Sequence, residues 1–257
     1  MFNYGFSLTQ LIFTPEDVDA KRLIRDDRPY AGWLGFGVSV HAKRADVVHS
    51  AELNLGMVGP AALGEEAQNG VHRMRGFAEA EGWDNQLSNE FAMNLFLSSK
   101  WRFSPEALTH GRWRGEFLPR YGIALGNVET SADVGFTVRW GYNLPNDFAN
   151  QRLDPTAYNQ QFFIDRDGSA VGLGDLGFWV QGGAAGKLVG RDIFLDGNTF
   201  SDSHSVDKEY LVGELELGAG LRWGRFKLGY THTLRTEQWR GQDDVQYIGS
   251  VALSYGF

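Results

Sequence analysis

Gln68 and His72 stand four residues apart in a segment that reads as a helix, so they share one face about one turn apart. A histidine beside an orienting amide suffices for a general base that takes a proton from water near neutral pH. Glu79, Glu81, Trp83, Asp84 and Gln86 follow closely with acids and hydrogen-bonding groups. The same residues also read as the ordinary polar face of a solvated loop helix, and no Ser-His-Asp order accompanies them. A second segment, DDRPYAGW (26–33), has the groups to clamp a phosphate with Arg28 and to hold a hard cation with Asp26 or Asp27. It reads equally as a turn leading into a strand, with Tyr30 and Trp33 anchoring at a membrane interface. TEQWRGQ (236–242) suits a sugar head group or a turn with an aromatic anchor. The acidic stretch 191–208 lacks the glycine spacing and terminal Glu of an EF-hand loop and reads as a solvated loop. The chain has no cysteine, which excludes thiolate metal sites and a cysteine nucleophile.

What must position these groups is a chain dominated by period two. In Leu211–Trp223, Leu211, Leu215, Leu217, Ala219, Leu221 and Trp223 fall on one face, and Glu214, Glu216 and Arg222 on the other with Gly218 and Gly220. A Gly224-Arg225 turn follows, and the alternation resumes to Phe257. Similar segments start near Asn3, Tyr30, Ser50, Glu90, Glu116, Ala132, Leu173, Tyr210, Arg225 and Val245, which makes about ten strands, many longer than the usual five or six residues. Glycine, 33 of 257 residues, is about twice as frequent as usual. The wet face carries Arg139, Glu214, Glu216, Arg222, Lys227 and Arg235, too many charges for a small packed core. We therefore expect an all-β, antiparallel transmembrane β-barrel of the outer-membrane type, one domain over residues 1–257, rather than a soluble β-sandwich or lipocalin-like barrel. No apolar run is long enough for a transmembrane helix. A net charge of −8 argues against nucleic-acid binding.

Three segments interrupt the strands. Residues 60–76 read as a helix with Pro60 at its start, Glu65 and Glu66 early, Arg73 and Arg75 late and Gly76 as the stop, although Gly64 and Gly70 weaken it by up to about 1 kcal/mol each. Residues 144–170 and 191–208 read as long polar loops, and the architecture leads us to expect the long loops at one end of the barrel and short turns at the other.

Together DDRPYAGW (26–33), LGMVGPAALGEEAQNGVH (55–72), GWDNQL (82–87), ALGNV (124–128), RDIFLDGNTFSDSHSVDK (191–208) and TEQWRGQ (236–242) resemble the outer-membrane lipid A 3′-O-deacylase family, from near residue 4 to the end. The resemblance implies a twelve-stranded barrel in the bacterial outer membrane, with a site between its wall and a helix in an extracellular loop. The implied reaction is hydrolysis of the 3′-linked acyloxyacyl ester of lipid A in lipopolysaccharide, with a histidine activating water and calcium polarising the ester carbonyl. His72 matches the catalytic histidine, Gln68 its helical companion and Glu79 the downstream acid. Arg28 and Arg73, with Arg75, are the side chains expected to meet lipid phosphates. Partners implied are lipid A of the outer leaflet, the membrane and the barrel assembly machinery.

The chain departs from the family at its front, where members carry an Asn-Asp pair in the first strand and Tyr-Thr-Asn-Gly in the second. Its first strand reads as the family's third, which agrees with about ten strands rather than twelve. Residues of those two strands help to build the calcium and ester-binding side of the site, so the calcium ligands are not assignable here and activity in this form is in question. A reading frame that begins late would account for both these strands and the signal peptide. The alternatives are a non-catalytic structural or porin-like barrel, an outer-membrane phospholipase and a soluble binding module.

Overall fold

Alternation of apolar and polar residues becomes ten antiparallel strands joined in sequence order. The computed structural model describes residues 1–148 and 176–256. The strands are β1 (Phe2–Phe13), β2 (Ala31–Arg44), β3 (Val47–Val58), β4 (Glu90–Trp101), β5 (Trp113–Gly126), β6 (Glu129–Tyr142), β7 (Leu176–Asp192), β8 (Leu211–Trp223), β9 (Phe226–Arg235) and β10 (Gln246–Tyr255). Each begins within three residues of the position expected from the pattern. Each strand pairs with its neighbours in the order β1 to β10. β1 and β10 form the two edges and are not paired with each other among the described residues. Twelve residues at about 3.3 Å each give a strand of roughly 40 Å, which at a tilt of about 40° crosses the apolar band of an outer membrane.

The side chains sort as a membrane barrel requires. Leu211, Leu215, Leu217, Leu221 and Trp223 are exposed on the outside, whereas Arg139, Glu116, Lys227, Thr231 and Thr233 are buried on the inside. At the end where β5 begins, outward aromatics form a belt: Trp113 stacks on Trp140 at 4.4 Å, Tyr142 on Phe178 at 5.8 Å, and Phe226 lies 4.8 Å from Tyr255. Such girdles mark the membrane–water interface. Two inward glycines make room for lumen-filling tryptophans, since a methyl group on Gly35 or Gly220 would overlap the indole of Trp33 or Trp179. Trp33 and Tyr30 are therefore not interfacial anchors: Trp33 is buried in the lumen and Tyr30 is buried against Trp83 at 5.0 Å.

Strand parity corrects the expected distribution of loops. The connections 14–30, 59–89, 193–210 and 236–245 lie at one end. The connection from Tyr142 to Leu176, which includes the anticipated 144–170 loop, lies at the other, along with the tight turns at 45–46 and 224–225. Of that loop, 149–170 fall outside the described residues. At the first end the lumen is capped by an apolar cluster in which a short helix, α2 (Ile193–Asp196), sets Ile193 and Phe194 against Trp33, Val58, Leu87 and Val128, with Phe13 stacked on Phe194 at 4.1 Å. At the opposite end Leu144–Phe148 turn back into the lumen, where Phe148 packs with Val48 and Leu118.

Candidate functional site

The anticipated helix forms, in two pieces. A 3₁₀ turn, Pro60–Ala62, leads through Leu63 in the left-handed region to α1 (Gly64–Arg75), which Gly76 ends with φ of 71°. Glu65 and Glu66 fall in its first turn and Arg73 and Arg75 in its last, where each charge suits the helix dipole, and His72 stands in that last turn beside them. The start of α1 docks on the outward side of β2. A Cβ on Gly64 would lie 2.7 Å from Trp83 and 3.1 Å from Gly32 Cα, so only glycine permits this approach. Gln10 of the edge strand β1 donates from Nε2 to the carbonyls of Ala62 (2.8 Å) and Leu63 (3.0 Å). The chain returning from α1 is tied by buried Asn69, whose amide accepts from Ala80 N at 2.8 Å and donates to Ala80 O at 3.3 Å.

This scaffold pairs Arg73 with Glu79 and sets His72 against the returning chain, with Gln68 turned to Trp83. His72 Nδ1 lies 2.5 Å from the Ala78 carbonyl. A carbonyl only accepts, so the proton of the neutral ring sits on Nδ1 and Nε2 keeps its lone pair. Nε2 has no hydrogen-bond partner among the described residues. Phe77 meets the ring edge-on at 6.1 Å. Gln68, one turn earlier, does not touch His72; its Oε1 accepts from Trp83 Nε1 at 2.9 Å and so fixes the indole that α1 rests on. Glu79 is engaged by Arg73 at 2.8 Å, both side chains being solvent-exposed, and Glu81 is engaged by Lys21 at 2.9 Å. Beside these polar groups the helix leaves an apolar ridge uncovered: Leu63, Val71, Met74 and Phe77 are all exposed, Met74 to 82%, and Arg75 lies over the Phe77 ring.

Arg28 is elsewhere. It is buried at the lumen mouth between the rings of Phe13 (4.5 Å) and Trp239 (5.3 Å), far too enclosed to meet a lipid phosphate on the outer wall. Burial pulls its guanidinium down to about 10, against the opposing pull of Asp192. Asp27 closes its own loop by accepting from the backbone N–H of Glu16 and Arg28, and Trp239 of TEQWRGQ is buried rather than offered to a sugar. The 191–208 loop is held down, with Lys208 on Asp196 at 2.7 Å and Asn198 bonded to Ser88 and Glu90. Asn69, Gln10 and the Ala78 carbonyl, which position the histidine, carry no sequence signal of their own.

Among the described residues no group of three or more His, Asp or Glu side chains is arranged to hold a metal ion. The first acid after His72 in sequence, Glu79, is already engaged by Arg73.

The sequence model of the family described as "Outer membrane protein LpxR" matches residues 1–257, the whole chain. The chain belongs to the LpxR family. A solved structure described as LpxR from Salmonella typhimurium superposes on it with a TM-score of 0.82 at 20% identity, covering 100% of this chain and 84% of that one. That likeness is one of fold, and it agrees with the barrel and the outer-membrane location. No curated protein matches the chain. In this LpxR-family barrel the helix bearing His72 is the element that stands on the outer wall beside the edge strand β1.

Proposed function

We propose that this LpxR-family barrel is an outer-membrane ester hydrolase of the lipid A 3′-O-deacylase type, with His72 as its general base. One observation carries the reading: His72 gives Nδ1 to a backbone carbonyl and leaves Nε2 unengaged, on a helix docked against the outside of the wall. A base held in this tautomer takes a proton from water as it attacks an ester carbonyl. Gln68 holds Trp83, and through it the seat of α1, so it acts as a positioning residue. The ridge of Val71, Met74 and Phe77 suits the acyl region of the outer leaflet, and Arg73 and Arg75 beside it suit lipid phosphates. Arg28, enclosed at the lumen mouth, has no part in this contact.

The family resemblance implies calcium, and the described residues do not fit it, so proton transfer at His72 is the step these side chains carry.

Mass analysis of lipid A, after incubation with the purified barrel and calcium, tests this reading. We expect loss of the 3′-acyloxyacyl group with the unaltered chain and none with His72→Ala, whose barrel remains heat-modifiable on gels. Release by His72→Ala at the unaltered rate would remove His72 from the mechanism. A non-catalytic barrel is the second reading, favoured by the absence, among the described residues, of a His, Asp and Glu cluster able to hold a metal ion. It predicts that the unaltered chain leaves both lipid A and glycerophospholipids intact. A porin-like reading is opposed by a lumen filled at one end by Trp33 and the α2 cap and at the other by Phe148 and Arg139.

A further inference from the structure

Five basic side chains from widely separated parts of the sheet converge on one short segment inside the lumen. Arg139 of β6 donates to Asp147 Oδ1 at 2.7 Å, and Lys227 of β9 donates to Oδ2 at 2.8 Å. Arg102, just past β4, donates to Asn146 Oδ1 at 2.7 Å and to the Asp147 carbonyl. Lys43 of β2 reaches Asn146 Oδ1 at 2.9 Å, and Lys100 of β4 reaches the Phe148 carbonyl at 3.0 Å. The Arg102 guanidinium also covers the Phe148 ring at 4.4 Å. Arg139, Asp147 and Phe148 are within about one per cent of complete burial. Wall carboxylates share this cluster: Glu116, bonded to Arg139 at 2.5 Å, and Glu216, whose charge acts on Lys100.

We propose that the lumen wall at this end is a binding site for small oxyanions, occupied in cis by Leu144–Phe148, with the Asp147 carboxylate as its tethered ligand. The geometry supports this in three ways. The donors are side chains of the wall and, Glu116 apart, the acceptors named here belong to the inserted segment, which is the division of roles in a receptor and its ligand. Arg139 and Lys227 take one carboxylate oxygen each, an arrangement that an added carboxylate or phosphate reproduces. The segment joins β2, β4, β6 and β9, so its release takes the Asp147 carboxylate from Arg139 and Lys227 together, and a small oxyanion would restore both bonds. Nothing in this site touches α1, and its test is independent of any reaction at His72.

The chain has no cysteine, so single cysteines report on the segment without further alteration. In detergent micelles, Leu144→Cys, buried, is expected to react with a charged thiol reagent at least tenfold more slowly than the exposed control Ser201→Cys. Adding Asp147→Ala is expected to raise the Leu144→Cys rate at least tenfold. Sodium formate, unlike chloride at equal ionic strength, should raise the unfolding midpoint of Asp147→Ala and leave the unaltered protein unchanged. Equal labelling of Leu144→Cys and Ser201→Cys in the unaltered background overturns the inserted segment. A heat-modifiable Asp147→Ala barrel indifferent to formate overturns the oxyanion site. If Asp147→Ala does not assemble, Asp147→Asn, which keeps the side-chain volume, is read by the same two measurements.

Discussion

Gly64 and Gly70 lie in the same helix, yet the same substitution is expected to act with opposite sign at the two. Gly→Ala inside a helix gains up to about 1 kcal/mol from backbone propensity, and less at the first helical position, where Gly64 stands. At Gly70 nothing lies within 4 Å of the added methyl, so Gly70→Ala keeps that gain. At Gly64 the methyl would lie 2.7 Å from Trp83 and 3.1 Å from Gly32 Cα. The indole is held by Gln68 and the neighbouring atom is β2 backbone, so neither gives way easily; overpacking of this kind costs about 1–3 kcal/mol. The cost outweighs the propensity, and α1 lifts from the wall. Hydrogen exchange read by mass spectrometry over 64–75 measures this directly: local opening should become easier in Gly64→Ala and harder in Gly70→Ala, with the strands unchanged in both. If Gly64→Ala protects the helix as well as Gly70→Ala does, the close contact with Trp83 does not set the position of α1, and the argument that places His72 fails with it.

Two further outcomes concern the lumen. Arg139→Met leaves the buried carboxylates of Glu116 and Asp147 without their shared partner, a loss of about 3–5 kcal/mol, and adding Glu116→Gln should restore part of it; denaturant unfolding in micelles measures both, and a loss under about 1 kcal/mol in the single variant would mean that lumen water does Arg139's work. For Asp147, which lies outside the strands, burial alone would raise the carboxyl pKa, but the charges and hydrogen bonds of Lys227 and Arg139 outweigh it and hold the pKa well below the usual range. A depressed folded pKa contributes stability that is complete above the unfolded value of about 3.9 and is lost as pH falls below it. The unfolding midpoint should therefore drop between pH 5 and pH 3 in the unaltered chain and drop less in Asp147→Asn.

The barrel was legible because each strand carries its own signal. Leu215, Leu217 and Leu221 alternate with Glu214, Glu216 and Arg222 whatever their partners are, and the pattern located ten strands and their faces. The helix was legible for the same reason, from Pro60, the early acids, the late bases and Gly76. What stayed hidden depends on residues far apart in the chain. Asp147 looks like any loop acid until Arg139 and Lys227, eight and eighty positions away, are placed around it. Trp33 reads as an interfacial anchor because a tryptophan that fills a lumen and one that meets head groups have the same composition signal; only Gly35 beside it hinted at the difference. Arg28 had the right chemistry for phosphate, and its enclosure by Phe13 and Trp239 comes from opposite ends of the sequence.

The placement of these groups also bears on how a lipid could reach the chain. Drawing an acyl chain into the lumen would cost about 0.8 kcal/mol for every methylene moved from lipid to a polar interior, and the interior is obstructed at both ends by Trp33 with the α2 cap and by the Asp147 segment. α1, by contrast, stands on the outer wall with Val71, Met74 and Phe77 exposed, a face that suits the acyl region of the outer leaflet. Under the proposed function, a lipid ester would meet His72 from the bilayer side without crossing a polar layer. Filling the lumen stabilises the wall on which α1 rests, and the proposed chemistry lies on the outside of that wall.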